Sequence, residues 1–167
     1  MIHQKVLFTE DECKTIINLN KNKSQSWEHT DRLYESLLIQ YNSETMWLFD
    51  RLKLFFEEIT EIKMPNLKKD IHYHIFKTNS YFGLHSDDLG NRMYSVGVLL
   101  NDSFVGGDFI LYDKDRLTLN KIIGNTYIFD VSIKHEVTKI MDGERYSIIW
   151  FIKNDNIKIE KCQKVIF

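Results

Sequence analysis

Several things are scarce in this sequence, and each scarcity excludes a class of protein. The 167 residues include only two cysteines, Cys13 and Cys162, which are too few and too far apart for a disulfide framework and fit free thiols in a reducing compartment. No apolar stretch approaches the length that spans a bilayer, and the first residues lack the apolar core of a signal peptide. We therefore expect a soluble, cytoplasmic protein with no membrane partner.

Charge excess and compositional bias are absent as well. The formal net charge is −2, which gives no global electrostatic footprint for a nucleic-acid partner. Repeats, low-complexity tracts and linkers are also missing, so a single domain over residues 1–167 is expected. What the chain does have is a 43% hydrophobic and 13% aromatic composition, which is ample for a packed core.

A helical pattern covers residues 1–70, the predicted supporting part of the domain. The segment Thr9–Glu12 has the signature of a capping box and predicts a first helix over about residues 10–20. Apolar residues at spacings of three and four between Leu48 and Ile59 predict a second helix. Pro65, the only proline, closes this helical half.

From about residue 71 the apolar period changes to two, and turn residues recur at short intervals. Eight strands are predicted, over residues 71–78, 81–86, 93–100, 108–112, 116–119, 126–129, 136–140 and 145–152. So many short strands favour a jelly roll, or double-stranded β-helix, over residues 71–153. The predicted fold class is α+β, mainly β, with N-terminal supporting helices.

Two histidines, one aspartate and one arginine predict an iron site. His85 and Asp87 are two residues apart and point the same way on a strand, while His135 comes from another strand that the barrel brings close. Two imidazoles and one carboxylate leave the opposite face of divalent iron free for other molecules. Arg145 offers a planar fork that pairs with a carboxylate. No catalytic residue beyond this metal centre is predicted.

The same histidine–aspartate spacing occurs earlier, in His29-Thr30-Asp31. This copy leads into Arg32–Leu38, a mixture of polar and apolar residues that suits a solvated helix or loop. We interpret it as an accidental match, because the spacing alone is a weak signal. Asp88 is excluded as a ligand, since the residue after Asp87 on a strand points to the opposite side.

Five segments between residues 71 and 153 form one composite motif. They are Tyr81–Asp87, Arg92–Asp102, Gly106–Phe109, Phe129–Val137 and Gly143–Phe151. Each segment is a weak signal, but the set is specific. Together they resemble the 2-oxoglutarate and iron(II)-dependent oxygenases, especially the prolyl-hydroxylase-like branch.

The resemblance implies a site and an activity. His85, Asp87 and His135 would bind Fe(II), and Arg145 would pair with the distal carboxylate of the co-substrate 2-oxoglutarate. O2 would be the second co-substrate and ascorbate the reductant. Hydroxylation is favoured over halogenation, because the related halogenases carry a small residue where this chain retains Asp87.

Further co-substrate contacts have structural alternatives. Ser147 shares a strand face with the arginine and could bind the same carboxylate, or it could be an ordinary strand serine. His74 lies on a strand where the family often has a polar co-substrate contact, but His72 and His74 could also be a pair buried for packing. Where the family frequently has tyrosine, this chain has Phe76 and Leu99.

The expected reaction is hydroxylation of a prolyl residue in a peptide or protein. The alternative is hydroxylation of a free amino acid or another small molecule. Demethylation of nucleic-acid bases is disfavoured, because that branch has a second arginine six positions after the first, where this chain has Phe151. A non-catalytic, cupin-type barrel is also disfavoured, because it has no need of a co-substrate arginine.

Overall fold

Strands dominate the computed structural model, which describes residues 1–21, 25–64 and 71–154. Two helices lie in the N-terminal half: α1 (Glu10–Asn20) and α2 (Met46–Thr60). The strands of the described residues are β1 (Ile2–Val6), β2 (Gln25–His29), β3 (Arg32–Leu38), β4 (Ile71–Phe76), β5 (Tyr81–His85), β6 (Arg92–Leu99), β7 (Phe104–Gly106), β8 (Phe109–Tyr112), β9 (Arg116–Thr118), β10 (Asn125–Asp130), β11 (Lys134–Val137), β12 (Ile140–Gly143) and β13 (Arg145–Lys153).

Eleven of these strands form one curled sheet in which neighbouring strands are antiparallel. Its order is β1-β10-β6-β13-β4-β3-β5-β11-β8-β9, and β2 extends it by pairing with β3. The remaining two strands, β7 and β12, form a small sheet of their own. Because distant strands become neighbours, residues that are far apart in the chain meet on the inner face of the curled sheet.

Local sequence signals explain both helices, and both predictions are confirmed. At the start of α1 the Thr9 side chain accepts from the Glu12 backbone N–H at 3.3 Å, and the Glu12 carboxylate accepts from the Thr9 N–H at 2.9 Å. The apolar stripe of α2 is buried, with Leu52 and Phe56 fully enclosed. Both helices pack on the outer face of the sheet.

Strand alternation separates this outer face from the inner one. On β4, Tyr73 joins the helix-side core, whereas His74 lines the inner cavity. On β13, Trp150 joins the same helix-side core, whereas Arg145 and Ser147 line the cavity. The period of two therefore places the predicted site residues on the concave side of the sheet.

The prediction that residues 1–70 are helical is wrong for three segments. β1 pairs with β10, and the β2–β3 hairpin pairs with β4 and β5. These pairings are supplied by distant parts of the chain, and such long-range contacts override a local pattern. The segment from His29 to Leu38, interpreted as a helix or loop, is therefore the end of β2, a turn and β3. Pro65 lies outside the described residues.

The eight predicted strands are confirmed, with shifted ends. The largest shift concerns the strand predicted over residues 136–140, which begins at Lys134 and ends at Val137. Two short strands, β7 and β12, were not predicted. Gly106, the last residue of β7, and Gly107 both have left-handed backbones, with φ of 75° and 62°, which glycine adopts readily.

The structure also bears on the cysteines and on the possibility of a membrane-spanning helix. Cys13 is a free, fully buried thiol, and burial raises its pKa to about 12. Cys162 lies outside the described residues. Across the described ranges, neither helix is long and apolar enough to cross a membrane.

Candidate active site

His85, Asp87 and His135 meet at one end of the inner cavity. β5 ends at His85, and β11 places His135 directly opposite it in the antiparallel ladder. The His85 Nε2 lies 3.6 Å from Asp87 Oδ1, and the His135 Nε2 lies 3.5 Å from Asp87 Oδ2. One potential ligand atom from each residue falls within 4.8 Å of the others. The predicted convergence of these three side chains is confirmed.

Backbone carbonyls orient both imidazole rings. The Nδ1 of His85 lies 2.8 Å from the Gly83 carbonyl oxygen, and the Nδ1 of His135 lies 3.1 Å from the Ile133 carbonyl oxygen. A carbonyl oxygen only accepts, so each Nδ1 carries the proton and donates it. Nε2 of each ring, the nitrogen that faces Asp87, is therefore the atom available to a metal ion.

The protonation states also suit a metal ligand set. Burial alone would raise the pKa of Asp87, but its interactions with the nearby His85 and His135 and a 2.6 Å hydrogen bond from Ser95 together lower it. Burial lowers the pKa of His135, only partly opposed by the charge of Asp87. At neutral pH the cluster thus contains an ionised carboxylate and a neutral imidazole on His135.

An aromatic wall covers one side of the cluster. The Phe82 ring stacks on the His85 ring with centroids 3.8 Å apart. From the β2–β3 hairpin, the Tyr34 ring stacks on Phe82 at 5.2 Å, and the Arg32 guanidinium lies 4.8 Å from the Phe82 centroid. The hairpin missing from the predicted fold therefore supports His85, one of the three predicted metal ligands.

Arg145 lies in the same cavity and is 2% exposed. No carboxylate of the described residues forms a salt bridge with it. Its surroundings are the Phe76 ring, 5.4 Å from its guanidinium carbon, and the Ser147 hydroxyl. Burial lowers its pKa, and nearby Tyr127 opposes that shift. A buried guanidinium without a carboxylate partner is costly, so the geometry suits an anion that enters the cavity.

The other two predicted contacts line this cavity too. The Ser147 Oγ accepts a 2.7 Å hydrogen bond from Nη1 of Arg145, which leaves its own hydrogen to donate elsewhere. His74 packs against Tyr34 with ring centroids 4.8 Å apart, and burial lowers the pKa of His74 to about 3. The ring is therefore neutral. Direct contact of Ser147 and His74 with a co-substrate stays a prediction.

The earlier histidine–aspartate pair has different surroundings. The His29 side chain is 68% exposed, and the Asp31 carboxylate accepts from Nε and Nη2 of Arg32 at 2.9 and 3.0 Å. This arrangement fits an ordinary surface ion pair, which supports its interpretation as an accidental match. Asp88 is exposed, as predicted for a residue that points away from the cluster.

The family model of the 2OG-Fe(II) oxygenase superfamily matches residues 71–153, the segment that carries all six predicted site residues. The chain belongs to this superfamily. It is 26% identical to a PKHD-type hydroxylase from Prochlorococcus marinus, and the match covers 93% of this chain and 79% of that protein. Membership of this superfamily makes the chain an oxidoreductase, a 2-oxoglutarate- and Fe(II)-dependent dioxygenase.

Solved structures show the same fold. The crystal structure of a Pseudomonas putida prolyl-4-hydroxylase superposes with a TM-score of 0.76 at 17% identity, covering 91% of this chain and 92% of that chain. A prolyl hydroxylase from Trichoplax adhaerens, solved with a peptide fragment of the hypoxia inducible factor oxygen degradation domain, gives 0.74 at 14% identity, covering 93% and 84%. The predicted jelly roll is thereby confirmed.

This oxygenase family uses Fe(II), 2-oxoglutarate and O2, and the observed residues fit that chemistry. The donor set is two nitrogens and one carboxylate, a set typical of non-haem Fe(II). Its imidazoles are oriented by carbonyl oxygens, and its carboxylate is held by Ser95. The guanidinium of Arg145 in the same cavity, which has no carboxylate partner in the described part of the chain, fits the second carboxylate of 2-oxoglutarate.

Sequence reasoning missed two polar residues of this oxygenase site. Ser95 holds Asp87, and Tyr127 lines the cavity beside Arg145. Ser95 is a fully buried serine directly before the apolar residues 96–99 of β6, and a polar residue buried at such a place is a recognisable signal. Tyr127 gave no comparable signal, because tyrosine is common in strands that pack on both faces.

Proposed function

We propose that this oxygenase hydroxylates a prolyl residue in a peptide or protein, with Fe(II) held by His85, Asp87 and His135. The observation that carries the proposal is the buried guanidinium of Arg145, which has no carboxylate partner among the described residues and shares a cavity with the three ligand residues. A barrel that only bound a metal would have no use for that charge.

Fe(II), with 2-oxoglutarate and O2, supplies the oxidation that converts a substrate C–H bond into C–OH while 2-oxoglutarate becomes succinate and CO2. The residues of the chain bind and orient the co-substrate and shape the cavity around the reacting groups. Arg145 and Ser147 hold the distal carboxylate and so fix the direction in which the keto acid enters the cavity. Phe76, Phe82 and Val137 give the cavity apolar walls that exclude water from the reacting groups.

The prolyl substrate is inferred from the relatives. Both structural neighbours described above are prolyl hydroxylases, and one of them was solved with a peptide. Substrates of this type present a neutral ring within an extended chain, which matches a cavity whose lining is largely aromatic and aliphatic. A free amino acid or another small molecule is the alternative that the same experiment must separate.

The test is a turnover assay with purified protein, Fe(II), ascorbate and 2-oxoglutarate. Succinate is measured with proline-containing peptides, matched peptides that carry alanine for proline, free amino acids and methylated oligonucleotides. We expect succinate formation that depends on the proline-containing peptide, with a mass increase of one oxygen on that peptide. Turnover with free amino acids alone would contradict the peptide substrate and favour the alternative.

A pair of histidine variants ties turnover to the site. His85→Ala removes one of the three ligands, and we expect it to abolish both succinate formation and metal binding. His29→Ala is the matched control, because it removes a histidine of the same local spacing from the surface. If the control lost activity and His85→Ala retained it, the wrong pair would have been assigned.

A further inference from the structure

We propose that Tyr127 is a third residue that binds the distal carboxylate of 2-oxoglutarate, beside Arg145 and Ser147, and that Gly97 provides the space for its ring. The inference rests on the proposed function, because it adds a positioning residue to the same co-substrate site. Tyr127 lies on β10, a strand in which the sequence analysis predicts no functional residue.

Packing places the Tyr127 ring over the backbone of the neighbouring strand. Tyr127 and Gly97 are direct partners in the β10–β6 ladder, and Tyr127 is only 3% exposed. A Cβ at position 97 would lie 2.2 Å from Cζ and 2.3 Å from the hydroxyl oxygen of Tyr127. Any side chain at position 97 would therefore displace the phenol, and a glycine there keeps the hydroxyl in place.

Electrostatics shows what the hydroxyl faces. Burial raises the pKa of Tyr127, and the Arg145 guanidinium opposes that shift through its charge and hydrogen bonding. Burial lowers the pKa of Arg145, and Tyr127 opposes that shift in turn. The phenol therefore keeps its proton and lies beside the guanidinium. Among the described residues no acceptor receives that proton in a hydrogen bond, so it is available to an entering carboxylate.

The three ladder partners of Arg145 and Ser147 leave room for a donor from β10, because two of them carry no donor and the third, His74, packs against Tyr34. Phe76 is the ladder partner of Arg145 on β4, and Leu99 is the ladder partner of Ser147 on β6. Neither side chain can donate a hydrogen bond. A carboxylate has about four acceptor positions, so the fork of Arg145 and one serine hydroxyl leave room for the Tyr127 hydroxyl.

A purely structural role is the competing explanation. The Tyr127 ring packs against Phe109 with centroids 4.7 Å apart and against Phe129 at 6.2 Å. Tyr127→Phe keeps the ring and removes only the hydroxyl. If the ring alone matters, the substitution should leave ligand binding unchanged. If the hydroxyl binds the carboxylate, the loss should fall on ligands that carry a distal carboxylate.

The experiment is anaerobic calorimetric titration of the Fe(II)-loaded protein with two keto acids. These are 2-oxoglutarate and 2-oxopentanoate, which has the same chain length but a methyl group in place of the distal carboxylate. We expect Tyr127→Phe to weaken 2-oxoglutarate binding roughly tenfold, the loss of one hydrogen bond to a charged group, and to leave 2-oxopentanoate binding unchanged. Gly97→Ala, which displaces the phenol, should weaken 2-oxoglutarate binding in the same selective way.

Tyr73→Phe is the matched control. Tyr73 is also fully buried in a strand, but it belongs to the helix-side core, and its hydroxyl has no hydrogen-bond partner among the described residues. Its removal should leave both affinities at the wild-type values. Thermal melting of each variant confirms that it is folded.

The outcomes separate this inference from the proposed function. Unchanged 2-oxoglutarate affinity in Tyr127→Phe, or an equal loss for both keto acids, overturns the role of Tyr127 alone. A wild-type protein that loads Fe(II) but binds no 2-oxoglutarate overturns the proposed function itself. A loss of affinity that is confined to 2-oxoglutarate supports both the role of Tyr127 and the proposed function.

Discussion

Arg145 is a charged side chain in a wall of aromatic and aliphatic groups, and its neighbours satisfy only part of its hydrogen-bonding capacity. The guanidinium has five N–H donors, and among the described residues it donates a 2.7 Å hydrogen bond to the side chain of Ser147. Burial of such a group destabilises the empty protein, and an entering carboxylate compensates that cost. The proposed role of Arg145 in ligand binding accounts for this burial, whereas a contribution to folding does not.

This gives a prediction at the scale of one residue. Arg145→Ala should weaken 2-oxoglutarate binding by about 2–5 kcal/mol, because one partner of a buried charged pair is lost. Affinity for the metal should be unchanged, since the ligand residues are untouched. Calorimetric titrations with Mn(II) and then with 2-oxoglutarate measure both quantities. Arg51→Ala, which removes a surface arginine paired with Glu12, is the control; equal loss in both variants would contradict the assignment.

Residue identity also decided which parts of the site could be predicted. His85, Asp87, His135 and Arg145 could be identified from the sequence because the chemistry requires those residue types. Tyr127 could not, because its contribution depends on a glycine directly opposite it on another strand. Gly97 and Tyr127 lie in strands that are far apart in the chain, so the local pattern of neither strand shows that the two residues are paired.

At the scale of elements, helices and strands differ in the separation along the chain of the residues that specify them. The start of α1 is encoded within four residues, so it was found. β3 becomes a strand because it pairs with β4 and β5, whose residues come more than thirty positions later in the chain. Its own mixture of polar and apolar residues is half-buried on both faces and shows neither period clearly.

The capping box of α1 gives a prediction at this scale. Thr9→Ala should lower the free energy of unfolding by about 1 kcal/mol, because the N–H of Glu12 loses its acceptor. Thr15→Ala is the control within the same helix, since the Thr15 hydroxyl only bonds back to the Asp11 carbonyl and alanine has the higher helix propensity. Urea unfolding measures both variants. A greater loss for Thr15→Ala would show that the cap does not determine the stability of this helix.

At the scale of the whole molecule, turn spacing and strand count were enough to predict the jelly roll, but the order of the strands was not. The order places β5 beside β11 and β13 beside β4, and these neighbours bring the ligand residues and Arg145 into one cavity. Strand order depends on which long-range pairings close the sheet, and several closures fit the same turn pattern. The residues that form the site could therefore be predicted, but their arrangement in space could not.

This arrangement predicts that metal binding stabilises the entire sheet. The three ligand residues come from β5, the segment after it, and β11, so an ion that binds all of them fastens two neighbouring strands together. At a metal concentration of about 100 times the dissociation constant the folded state gains about 2.7 kcal/mol. We expect Mn(II) to raise the melting temperature, EDTA to reverse the rise, and His135→Ala to remove it. His29→Ala should keep the full effect, because its surface pair with Asp31 gives a metal no third ligand in the described residues. Equal rises in melting temperature in both variants would mean that the stabilising ion binds elsewhere. The cavity that we assign to both metal and co-substrate would then need a different explanation.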